Sequence, residues 1–86
     1  MFEAKEGGMR VKLDYIRLAW TAAKCVYRTM WEGERTHRPG GWKSHKPDFH
    51  FYHAAGHLES WKMGNRKEDH IAHALTRLAM ILEAEK

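Results

Sequence analysis

Apolar residues recur at alternating steps of three and four residues in the first third of this chain. On an α-helix such residues share one face, so the sequence predicts a single long helix from Val11 to about Glu34. A second apolar set lies largely off this face, which predicts contact with the rest of the chain on one side and with a second copy on the other. The main stripe is Leu13, Ile16, Trp20, Ala23, Tyr27 and Met30, and the second set is Leu18, Ala22, Cys25 and Val26.

A loop without apolar periodicity follows from Arg35 to Pro47, and it contains both prolines of the chain. The prolines and two adjacent glycines mark it as a loop by their backbone chemistry. Asp48 is the predicted N-cap of a second helix that runs to about Met63, where Gly64 and Asn65 form a C-terminal stop. The inward stripe expected for this helix is Phe51, Ala54 or Ala55, Leu58, and Trp61 or the aliphatic stem of Lys62.

A third helix is predicted to follow Glu68 and Asp69, whose negative charges suit the positive N-terminal end of a helix. It reaches almost to Lys86. Because the turn near Gly64 to Lys67 is short, the second and third helices are expected to form an antiparallel hairpin. The expected inward residues of the third helix are Ile71, Ala74, Leu75, Leu78, Ile81 and Leu82.

These elements predict an all-α fold with a long N-terminal helix, a basic loop and an antiparallel helical hairpin. A single helical domain is expected over residues 11–86, after a flexible lead at residues 1–10. A chain of 86 residues buries only about 60% of its unfolded surface, so homo-oligomerisation is expected to complete the core.

Cysteine usage and hydropathy limit the setting in which the chain works. Cys25 is the only cysteine, which excludes an internal disulfide framework and favours a cytoplasmic location. No stretch approaches the ~20 apolar residues of a membrane span, so no membrane contact is expected.

Five of the seven histidines lie between positions 50 and 73. Those on the second helix fall at about 0°, 300° and 340°, which is one stripe, and the third helix repeats these relative angles. In an antiparallel hairpin the two stripes are expected to converge, with His57 near His73 and His53 near Arg77. The second helix carries His50, His53 and His57, and the third carries His70, His73 and Arg77.

Three interpretations of the converging stripes stay open. Imidazoles three or four residues apart can hold one zinc, iron or manganese ion, with a carboxylate or water completing the shell. They can instead form the polar shoulder of the core, satisfied by carbonyls and water, or contact an anionic ligand directly. The metal interpretation uses His53, His57, His70 and His73, the last three as the chief metal ligands, with Asp69 or Glu68 nearby.

The loop from Arg35 to Pro47 carries the whole charge excess of the chain. It holds four basic residues and no acid, which equals the formal net charge of +4, and Trp42 lies at its centre. Cations beside an aromatic ring suit a nucleotide, because Arg38 and Lys43 can meet phosphate while the indole stacks on a base. An ordinary solvated loop, with Trp42 packed on the hairpin, is the alternative. Because the charge is local, a small anion is favoured over nucleic acid.

Residues 53–83 also carry a pattern of histidines, alanines and a tryptophan at fixed spacing. Its members are His57-Leu58, Trp61, Gly64 and His70-Ile71-Ala72-His73-Ala74, with Gly41-Trp42-Lys43 as a weaker match in the loop. This pattern resembles the N-terminal domain of phage and bacterial dATP/dGTP diphosphohydrolases, a family related to the all-helical MazG-like nucleotide pyrophosphohydrolases. Gly56 stands where the family pattern has an arginine, and Asn65 stands where it has an acid.

The resemblance implies a metal-dependent enzyme that cleaves a nucleoside triphosphate between its α- and β-phosphates. Magnesium or manganese is the implied cofactor, with zinc as an alternative at the histidines. The candidate roles are metal binding by His57, His70 and His73, catalysis by Glu59 and Asp69, and ligand binding by Arg38, Trp42, Lys43, His53 and Arg77.

The acids fit this enzyme less well than the histidines do. MazG-like enzymes hold magnesium with four carboxylates, and no such quartet is visible here. Glu59 lies roughly opposite His57 on its helix. A non-catalytic phage-type protein that binds or sequesters a nucleotide or a nucleotide-derived signal is therefore the alternative function, and a purely structural helical hairpin is the third.

Overall fold

The computed structural model describes residues 8–86, which form three α-helices, one short 3-10 helix and no strand. α1 spans Gly8–Gly33, α2 spans Pro47–Lys62, α3 spans His70–Ala84, and the 3-10 helix spans Gly41–Ser44. The all-α prediction is confirmed, with the helices in the predicted order. Within this part of the chain, no helix combines the length and the apolar character needed to cross a bilayer.

The first helix begins earlier than the apolar pattern indicates. α1 starts at Gly8 rather than at Val11, so residues 8–10 of the predicted flexible lead are helical. The rest of that lead, residues 1–7, lies outside the described residues. At the other end α1 stops at Gly33, whose carbonyl accepts the backbone N–H of His37 at 2.8 Å.

The start of α2 is set by a proline rather than by a capping side chain. Pro47 is the first helical residue, where its fixed φ suits the helix and its missing N–H is no loss. Lys46 is the N-cap and makes no side-chain capping hydrogen bond. The prediction of Asp48 as the N-cap was wrong, although its carboxylate lies in the first turn and there favours the helix dipole.

The segment between α2 and α3 contains the stop and start signals that the sequence predicts. α2 ends in a Schellman motif, in which Gly64 takes a φ of 92° and the N–H of Asn65 donates to the Ser60 carbonyl at 3.0 Å. α3 begins at the N-cap Asp69, whose Oδ1 accepts the N–H of Ala72 at 3.1 Å. These local hydrogen bonds place both helix ends within a seven-residue connection.

α3 is the helix on which the other elements pack. It contacts α1, α2 and the 3-10 helix, whereas α1 and α2 make no contact with each other within the described residues. The fully buried residues belong to α2 and α3 alone, and α1 has none. They are His50 and Ala54 on α2, and His70, Ala72, Ala74 and Thr76 on α3.

The predicted inward stripes of α2 and α3 are confirmed only in part, with Leu75 and Ile81 half-buried. Only Ala54 and Ala74 of those stripes are fully buried, whereas the aromatic and leucine side chains remain accessible. Small alanines let the two helices pack closely, and hydrogen-bond partners for His50 make burial of its imidazole inexpensive. The exposed members of the predicted stripes are Phe51, Leu58, Trp61, Ile71, Leu78 and Leu82.

The two apolar sets of α1 differ in their burial. The second set is half-buried at Ala22, Cys25 and Val26, which indicates that the C-terminal half of α1 packs on α3. The main stripe faces away from the chain as far as Tyr27, because its large side chains up to that point each keep about half or more of their surface accessible, whereas Met30 is half-buried. These exposed side chains are Leu13, Ile16, Trp20 and Tyr27.

Candidate metal centre

Three potential metal ligands meet where α2 and α3 are connected. His57 lies in α2, His73 in the first turn of α3, and Glu68 in the segment between the helices. The Nδ1 atoms of His57 and His73 lie 4.0 Å and 3.9 Å from Oε1 of Glu68. All three ligand atoms lie within 4.8 Å of one another, so this group can hold a metal ion. The predicted approach of His57 to His73 is confirmed, with ring centroids 4.9 Å apart.

The spacing of these atoms is slightly wider than a bound ion requires. Metal–ligand bonds of about 2.0–2.2 Å in a tetrahedral shell separate neighbouring ligand atoms by about 3.3–3.5 Å. The Glu68 side chain is 54% exposed, against 21% for His57, so its carboxylate has room to move toward an ion. The partial exposure also leaves one side of the centre open to a further ligand.

His70, another predicted metal ligand, lies directly against His57. Its Nδ1 is 2.9 Å from Nδ1 of His57, so the two rings share one proton in a hydrogen bond. In metal centres the hydrogen bond that orients an imidazole is made by the ring nitrogen that does not bind the metal. Nδ1 of His57 faces both Glu68 and His70, so an ion bound there would displace the shared proton. The distance of 2.9 Å is close to the about 3 Å between two nitrogens at right angles on one ion with bonds of about 2.1 Å. His70 can therefore serve as a fourth ligand.

The environment of the α2 histidines favours their neutral form, because it lowers the pKa of each. Burial lowers the pKa of His57, and the positive charge of a protonated His73 lowers it further, while Glu68 acts in the opposite direction. Burial also lowers the pKa of His53 and of His50. A metal ion binds neutral imidazole, so this environment favours metal binding over protonation near neutral pH.

His50 connects α2 with the 3-10 helix and α3 through buried hydrogen bonds. The sequence did not predict this role for His50. Its ring is 1% exposed. Nδ1 accepts a hydrogen bond from Nη1 of Arg77 at 3.0 Å, and Nε2 donates to the Trp42 carbonyl at 3.0 Å. Because guanidinium can only donate, Nδ1 carries no proton and His50 is neutral. The available signal was its place at the end of the histidine stripe nearest the loop.

The guanidinium of Arg77 makes its contacts with other residues of the fold. Besides its hydrogen bond to His50, its guanidinium lies 5.5 Å from the ring centroid of Phe49. Burial lowers the pKa of Arg77. His53 lies beside the same Phe49 ring, with 4.4 Å between the ring centroids. Burial lowers the pKa of His53, and the positive charge of Arg77 lowers it further. His53 and Arg77 both lie beside the Phe49 ring, and Arg77 also donates a hydrogen bond to His50, so His53 and Arg77 are close, as expected.

The loop residues predicted to bind nucleotide lie away from the histidine–glutamate group. Trp42 and Lys43 line a cavity of about 200 Å³ together with Met80 near the end of α3. At 1.5 Å per residue, Met80 lies about 10 Å along α3 from His73. Arg38 is exposed in the loop before the 3-10 helix. His45 and His50 line the same cavity as Trp42 and Lys43. The structure does not bring these loop side chains into one cavity with His57, Glu68 and His73.

The two predicted catalytic acids have different environments. Asp69 is the N-cap of α3, and its Oδ1 is already engaged with the N–H of Ala72. Glu59 is exposed on α2 and does not belong to the group of converging ligands. The acid that joins the histidines is Glu68, next to Asp69. Helical periodicity cannot separate these neighbours, because both precede the helix; the capping preference of Asp at this position was the usable signal.

Comparisons with protein-family models, with curated proteins and with solved structures find no match to this chain. The resemblance to the dATP/dGTP diphosphohydrolase domain therefore stays a prediction.

The lowered pKa values predict that acid destabilises the metal-free protein. The pKa values of His50, His53 and His57 lie below the 6.5 of the unfolded chain, so the unfolded state takes up protons first as the pH falls. The free energy of unfolding should be constant above about pH 7.5 and decrease between about pH 7 and pH 5. Thermal unfolding in the presence of a chelator measures this, and His50→Gln should flatten the slope. A melting temperature that rises as the pH falls would contradict it.

Proposed function

We propose that this protein binds one divalent metal ion through His57, Glu68 and His73, and that the ion holds the phosphates of a nucleotide. The main support for this proposal is that three potential ligand atoms, from α2, the connecting segment and α3, lie within 4.8 Å of one another. Three protein ligands leave at least one coordination position open, as in sites that receive an exogenous ligand.

The donor set favours a transition metal. Two imidazole nitrogens and one carboxylate oxygen suit zinc, manganese or iron, whereas magnesium prefers an all-oxygen shell. We propose Zn²⁺ or Mn²⁺ as the bound ion. The role of the ion would be to attract and orient phosphate oxygens, which are hard anionic ligands.

Charge supports an anionic ligand. The loop from Arg35 to Pro47 contributes four basic residues without an acid. Arg38 and Lys43 are both exposed, and neither forms a salt bridge within the described residues. Their positive charge raises the local concentration of an anionic ligand around the chain.

Binding without hydrolysis is the function that the acids support. Hydrolysis would need a carboxylate to take a proton from the water that attacks the α-phosphorus, as the bond to the bridging oxygen breaks and pyrophosphate leaves. Glu68 is the proposed metal ligand, Asp69 is engaged as a cap, and Glu59 is exposed outside the group formed by His57, Glu68 and His73. We therefore propose nucleotide binding or sequestration first. Hydrolysis between the α- and β-phosphates is the second candidate, supported by the resemblance at His57, His70 and His73.

We further infer that α2 and α3 run antiparallel. The contacts between them pair His57 with His70 and His50 with Arg77. Moving back seven residues in α2 thus corresponds to moving forward seven residues in α3, which is the relation expected of an antiparallel pair.

We also propose that α1 binds α1 of a second copy. The exposed stripe with Leu13, Ile16, Trp20 and Tyr27 follows the three–four spacing of a coiled-coil seam. The chain exposes 7569 Å², whereas a compact monomer of 10.1 kDa exposes about 5300 Å². The excess is larger than the about 800 Å² per partner that a stable interface covers.

Substitution of the proposed ligands should abolish tight metal binding. His57→Ala, His73→Ala and Glu68→Gln are each expected to weaken Zn²⁺ or Mn²⁺ binding by about 100-fold or more, because each removes one of three protein ligands. Isothermal titration calorimetry at about pH 7.5 measures this. The matched control is His37→Ala, an exposed histidine outside the group. Equal losses in the control, or no binding by the unaltered protein, would contradict the proposal.

Nucleotide binding should depend on the metal ion. A panel of deoxynucleoside triphosphates is expected to bind in the presence of Mn²⁺ or Zn²⁺ and to lose affinity by about 100-fold with a chelator or in His73→Ala, because phosphate then lacks its ligand. Calorimetry reports binding, and chromatography of the same samples reports monophosphate and pyrophosphate. Stable bound triphosphate supports sequestration, while turnover lost in His73→Ala but kept in His37→Ala supports the hydrolase. Metal-independent binding would contradict both.

The seam of α1 should control assembly. Ile16→Glu is expected to give a monomer in sedimentation equilibrium, whereas Leu18→Glu, at an exposed apolar position off the main stripe, should leave the dimer intact. Because Lys12, Arg17 and Lys24 flank the seam with like charge, added salt should tighten the dimer. A monomeric unaltered protein at about 0.1 mM would contradict this assembly.

A further inference from the structure

We infer that the nucleoside part of the ligand lies in an open groove over Gly56, beside the metal ligands. The inference rests on the proposed function, because it assumes that the phosphates bind the ion at His57 and Glu68. The groove has a volume of about 430 Å³, and His57 and Glu68 are among the residues that line it. Its lining residues are Tyr52, His53, Gly56, His57, Ser60, Glu68 and His70.

Gly56 is not explained by the fold. It lies in the interior of α2, and the positive φ values among the described residues belong to Gly40 and Gly64. A Cβ atom added at Gly56 would meet no heavy atom within 4 Å. Glycine destabilises a helix interior relative to alanine, so neither the backbone nor the packing favours it here. A flat group from outside the chain that lies against the helix backbone would require this bare surface.

His70 provides an independent indication of a ligand. It is 5% exposed and lines the groove. Its Nδ1 pairs with His57, but its buried Nε2 has no hydrogen-bond partner. An unpaired buried nitrogen is unfavourable, and most such atoms in folded proteins find a partner. A hydroxyl group of a sugar, or a ring nitrogen of a base, can supply the missing hydrogen bond.

The groove offers contacts suited to a nucleoside on either side of Gly56. Tyr52 lies one helical turn before it and Ser60 one turn after it, on the same side of α2. Tyr52 is 70% exposed, so its ring is accessible for stacking on a base. The sequence had assigned this contact to Trp42, which lines the other cavity. Placing the base at Tyr52 keeps it next to the proposed metal ion.

Gly56→Ala separates the groove from the metal centre. The added methyl group should raise the melting temperature by about 3 °C, as expected for alanine in a helix interior. Binding of Mn²⁺ alone should stay within about twofold of the unaltered protein, since no ligand changes. Affinity for Mn²⁺–dATP should fall about tenfold, while affinity for Mn²⁺–tripolyphosphate, which has no nucleoside, should be unchanged. Ala55→Ser, at the neighbouring exposed position outside the groove, is the matched control and should change neither affinity.

The outcomes distinguish this inference from the proposed function. If Gly56→Ala weakens the binding of dATP and of tripolyphosphate equally, or changes neither affinity, the nucleoside does not lie over Gly56. The ion would still bind phosphate in that case. The same conclusion follows if the unaltered protein binds tripolyphosphate as tightly as dATP. A lowered melting temperature of Gly56→Ala would show that the fold itself requires glycine and would overturn the inference. Failure of the unaltered protein to bind Mn²⁺ or Zn²⁺ overturns the proposed function, and the inference with it.

Discussion

The buried imidazole of His50 fixes the relation between the helices on which the rest of the structure depends. It accepts from Arg77 on α3 and donates to the Trp42 carbonyl in the 3-10 helix, so one ring ties three elements together. The same register, two helical turns further along α2, places His57 against His70. Because Arg77 holds His50 neutral, this register is maintained by a hydrogen-bonded pair that avoids a second buried charge.

Much of the fold follows from local sequence signals, because those signals act within a few residues. Gly64 and Asp69 end and start their helices through backbone geometry and a capping carboxylate. The buried faces were not predictable in the same way. All three helices carry more apolar side chains than one small core can cover, so the apolar pattern allows several packings. The two helices pack instead through alanine and histidine side chains, and the hydrogen-bond partner of the buried histidine lies far away in sequence.

The candidate site shows the same division between local and long-range information. Angular spacing on two helices was enough to bring His57 and His73 together. It gave no means of choosing Glu68 over Asp69, because the choice depends on which carboxylate caps the helix. The position of Trp42 also depends on a tertiary contact, since its carbonyl is held by His50 while its side chain lines a cavity at the other end of α3. Spacing therefore predicts the ligands on helices better than those on loops.

The central place of α3 has a consequence for the order of events during synthesis. A ribosome makes α1 first, and the only helix in the described part of the chain that covers a side of α1 is the last of the three to emerge. Until then both apolar sides of α1 lack intramolecular cover. If α1 pairs with α1 of a second copy as proposed, two nascent chains on neighbouring ribosomes can join before α2 and α3 have packed, and quaternary structure then precedes tertiary structure.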